Sequence, residues 1–106
     1  MAKAKDGVLI KVRNNDLVFK KYTIPNNVTI VGSRCCAYLK NLTLVTMHDE
    51  IEEIEEEAFY NCANLLCVVI PGSVQTVGSS AFGYCDNLLR VDVKPGVKVL
   101  AESAFE

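Results

Sequence analysis

The chain has 106 residues, half of them apolar and 23% charged, which is about one domain's length and leaves little interior for a deep catalytic cleft. Its 11 basic and 13 acidic side chains give a formal net charge of −2, so no global attraction to nucleic acid or to an acidic membrane follows. No apolar run is long enough to span a bilayer, and residues 1–12 hold only three consecutive apolar residues, too few for a secretory leader. As written, the chain belongs in the cytoplasm; it belongs at the cell surface if it is excised from a longer exported protein.

From the N-terminus, Val8, Ile10 and Val12 alternate with Leu9, Lys11 and Arg13, a period-2 strand pattern. Asn14-Asn15-Asp16 is turn chemistry, and Leu17-Val18-Phe19 resumes extended character. Residues 1–18 are therefore expected to form a β-hairpin that caps whatever follows; the alternatives are a disordered tail or part of a neighbouring domain.

From residue 19 onward the sequence falls into register with itself at a spacing of 23. Units span 24–46, 47–69 and 70–92, with a partial unit at 93–106. The third is the clearest, running from Ile70-Pro71-Gly72 through Val74, Val77-Gly78, Ala81-Phe82, Cys85 and Leu88 to Val91. Leu65, Val68 and Ile70 make a short strand, and Pro71 ends its ladder because it has no N–H to donate. Gly78 suits a turn with positive φ. Ala81, Phe82, Cys85 and Leu88 then recur on one face of a short helical or turn segment. A lone unit cannot bury its apolar face, whereas stacked units share a core. The fold class expected is an α/β repeat. It is a short right-handed solenoid with parallel strands on the concave face, short helices or turns on the convex face, and the hairpin as N-terminal cap.

Charge is distributed unevenly along these units. Residues 1–40 carry +6, residues 41–57 carry −7 and the remainder −1. Within the acidic run Asp49, Glu50, Glu52, Glu53, Glu55, Glu56 and Glu57, the interruptions Ile51 and Ile54 are placed to point inward. A solvated ridge is the plainer reading, a site for a cation or basic partner the sharper one.

The pattern I-P-x-x-V-x-x-[IV]-G-x-x-A-F-x-x-C-x-x-L-x-x-V resembles the BspA-like leucine-rich repeat, a 23-residue class, over about residues 19–106. Departures are Cys35-Cys36 where Ala-Phe is expected, Leu39 for Cys, His48 for Pro and Glu55 for Gly. The resemblance implies protein–protein binding and, for exported bacterial members, adhesion to host proteins or cell surfaces.

Chemistry finds little footing. Cys62 and Cys85 occupy the same slot one unit apart, at a distance compatible with a disulfide, yet the slot reads as a small buried position filled by a free thiol. Adjacent Cys35 and Cys36 read as core filling. Cys62-x₄-Cys67 is too wide for a zinc pair and His48 is alone, so no metal and no cofactor are expected. Neither a catalytic triad nor a phosphate loop can be assembled. The sequons at Asn27 and Asn41 carry no meaning in a bacterial or cytoplasmic chain. The expected protein is not an enzyme.

What remains is surface. Between the inward strand positions lie Lys20, Lys21 and Thr23, then Thr43, Leu44 and Thr46, then Leu66, Cys67 and Val69, then Leu89, Arg90 and Asp92. The third rung is apolar where solvent should be, so Leu44, Leu66, Cys67, Val69, Leu89 and Arg90 form the candidate interaction surface. A protein partner is expected there, unless a second copy or a chain segment covers it. The alternative function is a self-associating structural unit, a homo-oligomer through this face or through the C-terminal end, where the partial unit supplies no further strand. Neither nucleic acid nor membrane is expected as a partner.

Overall fold

The computed structural model describes residues 2–106; Met1, the first residue of the expected hairpin segment, lies outside it. The strands are β1 (Lys3–Lys5), β2 (Val8–Lys11), β3 (Lys21–Thr23), β4 (Ile30–Val31), β5 (Leu44–Thr46), β6 (Glu53–Ile54), β7 (Cys67–Ile70), β8 (Thr76–Val77), β9 (Arg90–Val93) and β10 (Val99–Leu100). They form two sheets, one of six strands in the order β1-β2-β4-β6-β8-β10 and one of four in the order β3-β5-β7-β9. Apart from the antiparallel β1–β2 pair, every strand pairs in parallel. The chain is a solenoid in which each full turn contributes one strand to each sheet.

The 23-residue spacing is the pairing register itself. Lys21, Leu44, Cys67 and Arg90 are successive partners in the four-stranded sheet, and Ile30, Glu53, Thr76 and Val99 in the other. Repeat mates therefore stack one strand apart, about 4.8 Å. Leu42 and Leu65, Val45 and Val68, Ile24 and Ile70, and Val31, Ile54 and Val77 are all buried in one continuous core. Phe59 and Phe82 stack with ring centroids 5.1 Å apart, and Phe82 and Phe105 at 5.3 Å.

The convex segments are turns rather than helices. Their backbone N–H groups alternate between two uses: Cys36 donates across to the Ala58 carbonyl at 2.8 Å, Phe59 to Ala81 and Phe82 to Ala104 at 2.7 Å, while neighbours such as Ala58, Tyr60, Ala81 and Gly83 donate back to the carbonyl three residues earlier. Two residues per turn adopt left-handed backbone, Arg34, Glu57 and Ser80 at the first position and Tyr38, Asn61 and Tyr84 at the second. A helix would spend every donor internally; these turns spend some on closing tight turns and the alternate ones on stacking.

Two expectations are corrected. Gly78 does not have positive φ; its requirement is steric, because a Cβ there would lie 2.6 Å from the Glu56 backbone nitrogen of the preceding unit. The N-terminal hairpin exists, but its turn is Asp6-Gly7, with φ of 53° and 80°, joining β1 to β2. Asn14–Asp16 is instead a 3-10 turn in which the Arg13 N–H donates to Asp16 Oδ2 at 2.9 Å. Leu17–Phe19 does not return along β2, because a second tight turn at Phe19-Lys20 bonds Val18 to Lys21. In β2 the buried side chain is Leu9, joined by Val12, while Val8 and Ile10 face outward.

Candidate interaction surface on the four-stranded sheet

The six candidate residues lie on three adjacent strands of one sheet: Leu44 on β5, Leu66 just before β7 with Cys67 and Val69 on it, Leu89 just before β9 and Arg90 on it. Leu44, Cys67 and Arg90 are direct register partners. The Leu66 N–H donates to the Thr43 carbonyl at 3.0 Å and the Leu89 N–H to the Leu66 carbonyl at 2.8 Å, which sets Leu66 and Leu89 one strand apart. Leu89 is 83% exposed, Val69 46% and Leu66 44%, whereas Leu44 and Cys67 are half-buried. The apolar patch is thus centred on Leu66, Val69 and Leu89. Lys20 and Lys21 flank it on one side, and on the other Asp92 accepts an ion pair from Lys94 at 3.1 Å.

The remaining polar features serve the stack. His48, standing where Pro is expected, places Nε2 2.9 Å from the Pro25 carbonyl, and its Nδ1 accepts the Glu50 N–H at 3.1 Å. Glu55, in a glycine slot, accepts the Ser33 N–H at 3.0 Å. Arg34 pairs with Glu57 at 2.7 Å, and that carboxylate raises the guanidinium pKa; both groups lie at the surface, where such a pair is worth little.

All five cysteines are free; four are buried and Cys67 is half-buried. The Cys62 thiol donates to the Cys36 carbonyl at 3.0 Å and the Cys85 thiol to the Phe59 carbonyl at 3.2 Å. Hydrogen bonding with the Cys85 thiol, and then burial, push the Cys62 thiol up; the Cys35 thiol and burial do the same for Cys36. Cys36 and Cys62 therefore act as small core groups, while the same hydrogen bond with Cys62 lowers the Cys85 thiol. Among the described residues no group of three or more His, Cys, Asp or Glu side chains is placed to hold a metal ion, and no helix is long and apolar enough to cross a membrane.

One surface feature escaped the sequence reading. Tyr38, Tyr60 and Tyr84 form an edge-to-face ladder along the convex turns, with ring centroids 5.7 and 5.5 Å apart. Their sequence intervals straddle the 23-residue period, so strict register matching passes over them. A search for one aromatic per turn would have found them.

A family model described as BspA type leucine rich repeat region, in 6 copies, matches residues 14–106. The crystal structure of a leucine rich cell surface protein from Faecalibacterium prausnitzii is similar, with a TM-score of 0.67 and 35% sequence identity over 71% of this chain. The match spans 20% of that protein's chain. No curated protein matches.

Proposed function

Since the chain belongs to the BspA type leucine rich repeat family, we propose that it is a non-catalytic protein-binding module whose contact surface is the four-stranded sheet. The observation that carries this reading is the exposed apolar set of Leu66, Val69 and Leu89 on neighbouring strands, with Leu44, Cys67 and Arg90 beside it. Water-facing apolar sets of this kind mark association surfaces, and aliphatic anchors ringed by polar groups suit a protein ligand. The similarity to a cell surface protein favours a partner met outside the cell. The test compares proteins retained from native-host extract by the chain and by Leu66→Glu. A specific partner enriched about tenfold on the wild type and lost on the variant, about 1.4 kcal/mol of binding, is expected. Equal retention by both folded proteins refutes the reading.

A further inference from the structure

The outer face of the six-stranded sheet carries a charge pattern that the concave-face reading leaves unused. Val8, Ile30, Glu53, Thr76 and Val99 are register mates, and the first four each precede a buried residue, so their side chains point away from the core. Lys5 pairs with Val8 across the hairpin and shares that outer face; Lys3 follows two residues earlier and pairs with Lys11. Across the sheet the order is therefore basic at β1 and β2, apolar at Val8, Ile10 and Ile30, and acidic at Glu53 with Glu52, Glu55 and Glu56 beside it. Asp6 at the hairpin tip and Lys98 ahead of β10 are the other charges near this face. A groove of about 270 Å³ opens between Glu53, Glu55, Glu56, Ser33 and Thr76, wide enough for an ammonium group.

We propose that this face is the interface of a weak, salt-sensitive dimer of the chain. The two-fold axis lies in the interface plane, parallel to the strands, over the gap between β2 and β4. Rotation about it sets β1 over the second copy's β6 and β2 over its β4. The basic and acidic strips are three strand spacings apart, about 14 Å, and sit at equal distances on either side of that axis. Lys3 and Lys5 then meet the carboxylates around Glu53 of the second copy, twice over, while Val8, Ile10 and Ile30 cover one another at the centre. A two-fold contact demands this kind of self-complementary patch. A basic protein of another kind would engage only the acidic strip and leave the basic strip and the apolar row unused. Four short strands bury less than the ~1,200 Å² of a stable complex, so the association is weak and depends on its charges.

Sedimentation of the full chain at about 20 mM and about 0.5 M salt reads the mass on either side of strong screening. The average mass should rise with concentration at low salt and fall back at high salt. Lys3→Glu/Lys5→Glu/Lys11→Glu and Glu52→Lys/Glu53→Lys/Glu56→Lys should each lose the salt-dependent part. Their equimolar mixture should regain it, since the exchanged strips complement each other. On the wild type, zero-length carbodiimide coupling of mixed isotope-labelled and unlabelled chains should join Lys5 to Glu53 between chains, a reading that needs no variant to fold. Leu66→Glu should leave all of this unchanged, which separates the proposal from the concave-face reading. A salt-independent mass, a mixture no heavier than its components, a salt-dependent mass that survives both triple variants, or Lys5 cross-links confined to one chain would overturn it.

Discussion

Phe82 is fully buried between the rings of Phe59 and Phe105, so truncating it removes contacts on both sides at once. Phe82→Ala should cost about 3–5 kcal/mol, and Glu56→Ala, at an exposed position, less than about 0.5 kcal/mol. Urea denaturation checks the pair, and equal midpoints would contradict the stacked core. The thiols carry a pH prediction. Cys36 and Cys62 are held protonated, burial pushes the Tyr22 phenol up to about 12, and hydrogen bonding with Cys62 lowers the Cys85 thiol, which acts in the opposite sense. Above roughly pH 8.5 the unfolded chain releases protons that the native state keeps, so each such group lowers stability as pH rises, by at most about 1.4 kcal/mol per pH unit. With two thiols raised and Cys85 lowered, the urea midpoint should decline beyond about pH 8.5 and decline further past the ordinary tyrosine range near 10. A midpoint still level at pH 10 would show that the native thiols ionise freely. At this scale the sequence reading placed Phe82 and the buried cysteines well, because each occupies a repeating slot. It misjudged Gly78, because the constraint there comes from the Glu55-Glu56 backbone one turn away and leaves no mark on local composition.

The elements owe their form to what lies beside them rather than to propensity. A stretch such as Ala81–Leu88 has helical spacing, yet the Phe82 N–H is drawn across to the Ala104 carbonyl of the next unit, its neighbours close three-residue turns, and the chain bends at Ser80 and Tyr84 instead. The N-terminal hairpin shows the same priority. The alternation over residues 8–13 is visible in the sequence, but the strand that pairs with it comes before it, across Asp6-Gly7, a dipeptide suited to tight hairpins. Gly7 sits at φ +80°, and its carbonyl accepts the Thr29 and Ile30 N–H groups at 2.8 and 3.0 Å, so the turn also anchors β4. Gly7→Val should therefore destabilise by about 1–3 kcal/mol and speed amide exchange in β1 and β2 ahead of β7. Uniform exchange across all strands would mean that the hairpin unfolds only with the whole.

For the molecule as a whole, period, strand positions and core composition were legible because the solenoid writes its pairing register directly into the sequence. The candidate surface was legible only as a set of strand positions. Its real centre at Leu66, Val69 and Leu89, with Leu44 and Cys67 partly withdrawn, depends on how far each side chain is covered by neighbours. The complementary strips of the six-stranded sheet were visible as charge blocks, but only the topology puts them on one face. The constant 23-residue offset has a mechanical consequence. Every long-range pairing closes a loop of nearly the same size, so adding turns lengthens the molecule without raising the entropic cost of closing any one of them. Pulled from one end, such a chain should yield turn by turn, each release paying out about 75 Å of extended polypeptide, and a retracting chain should wind back along the same steps.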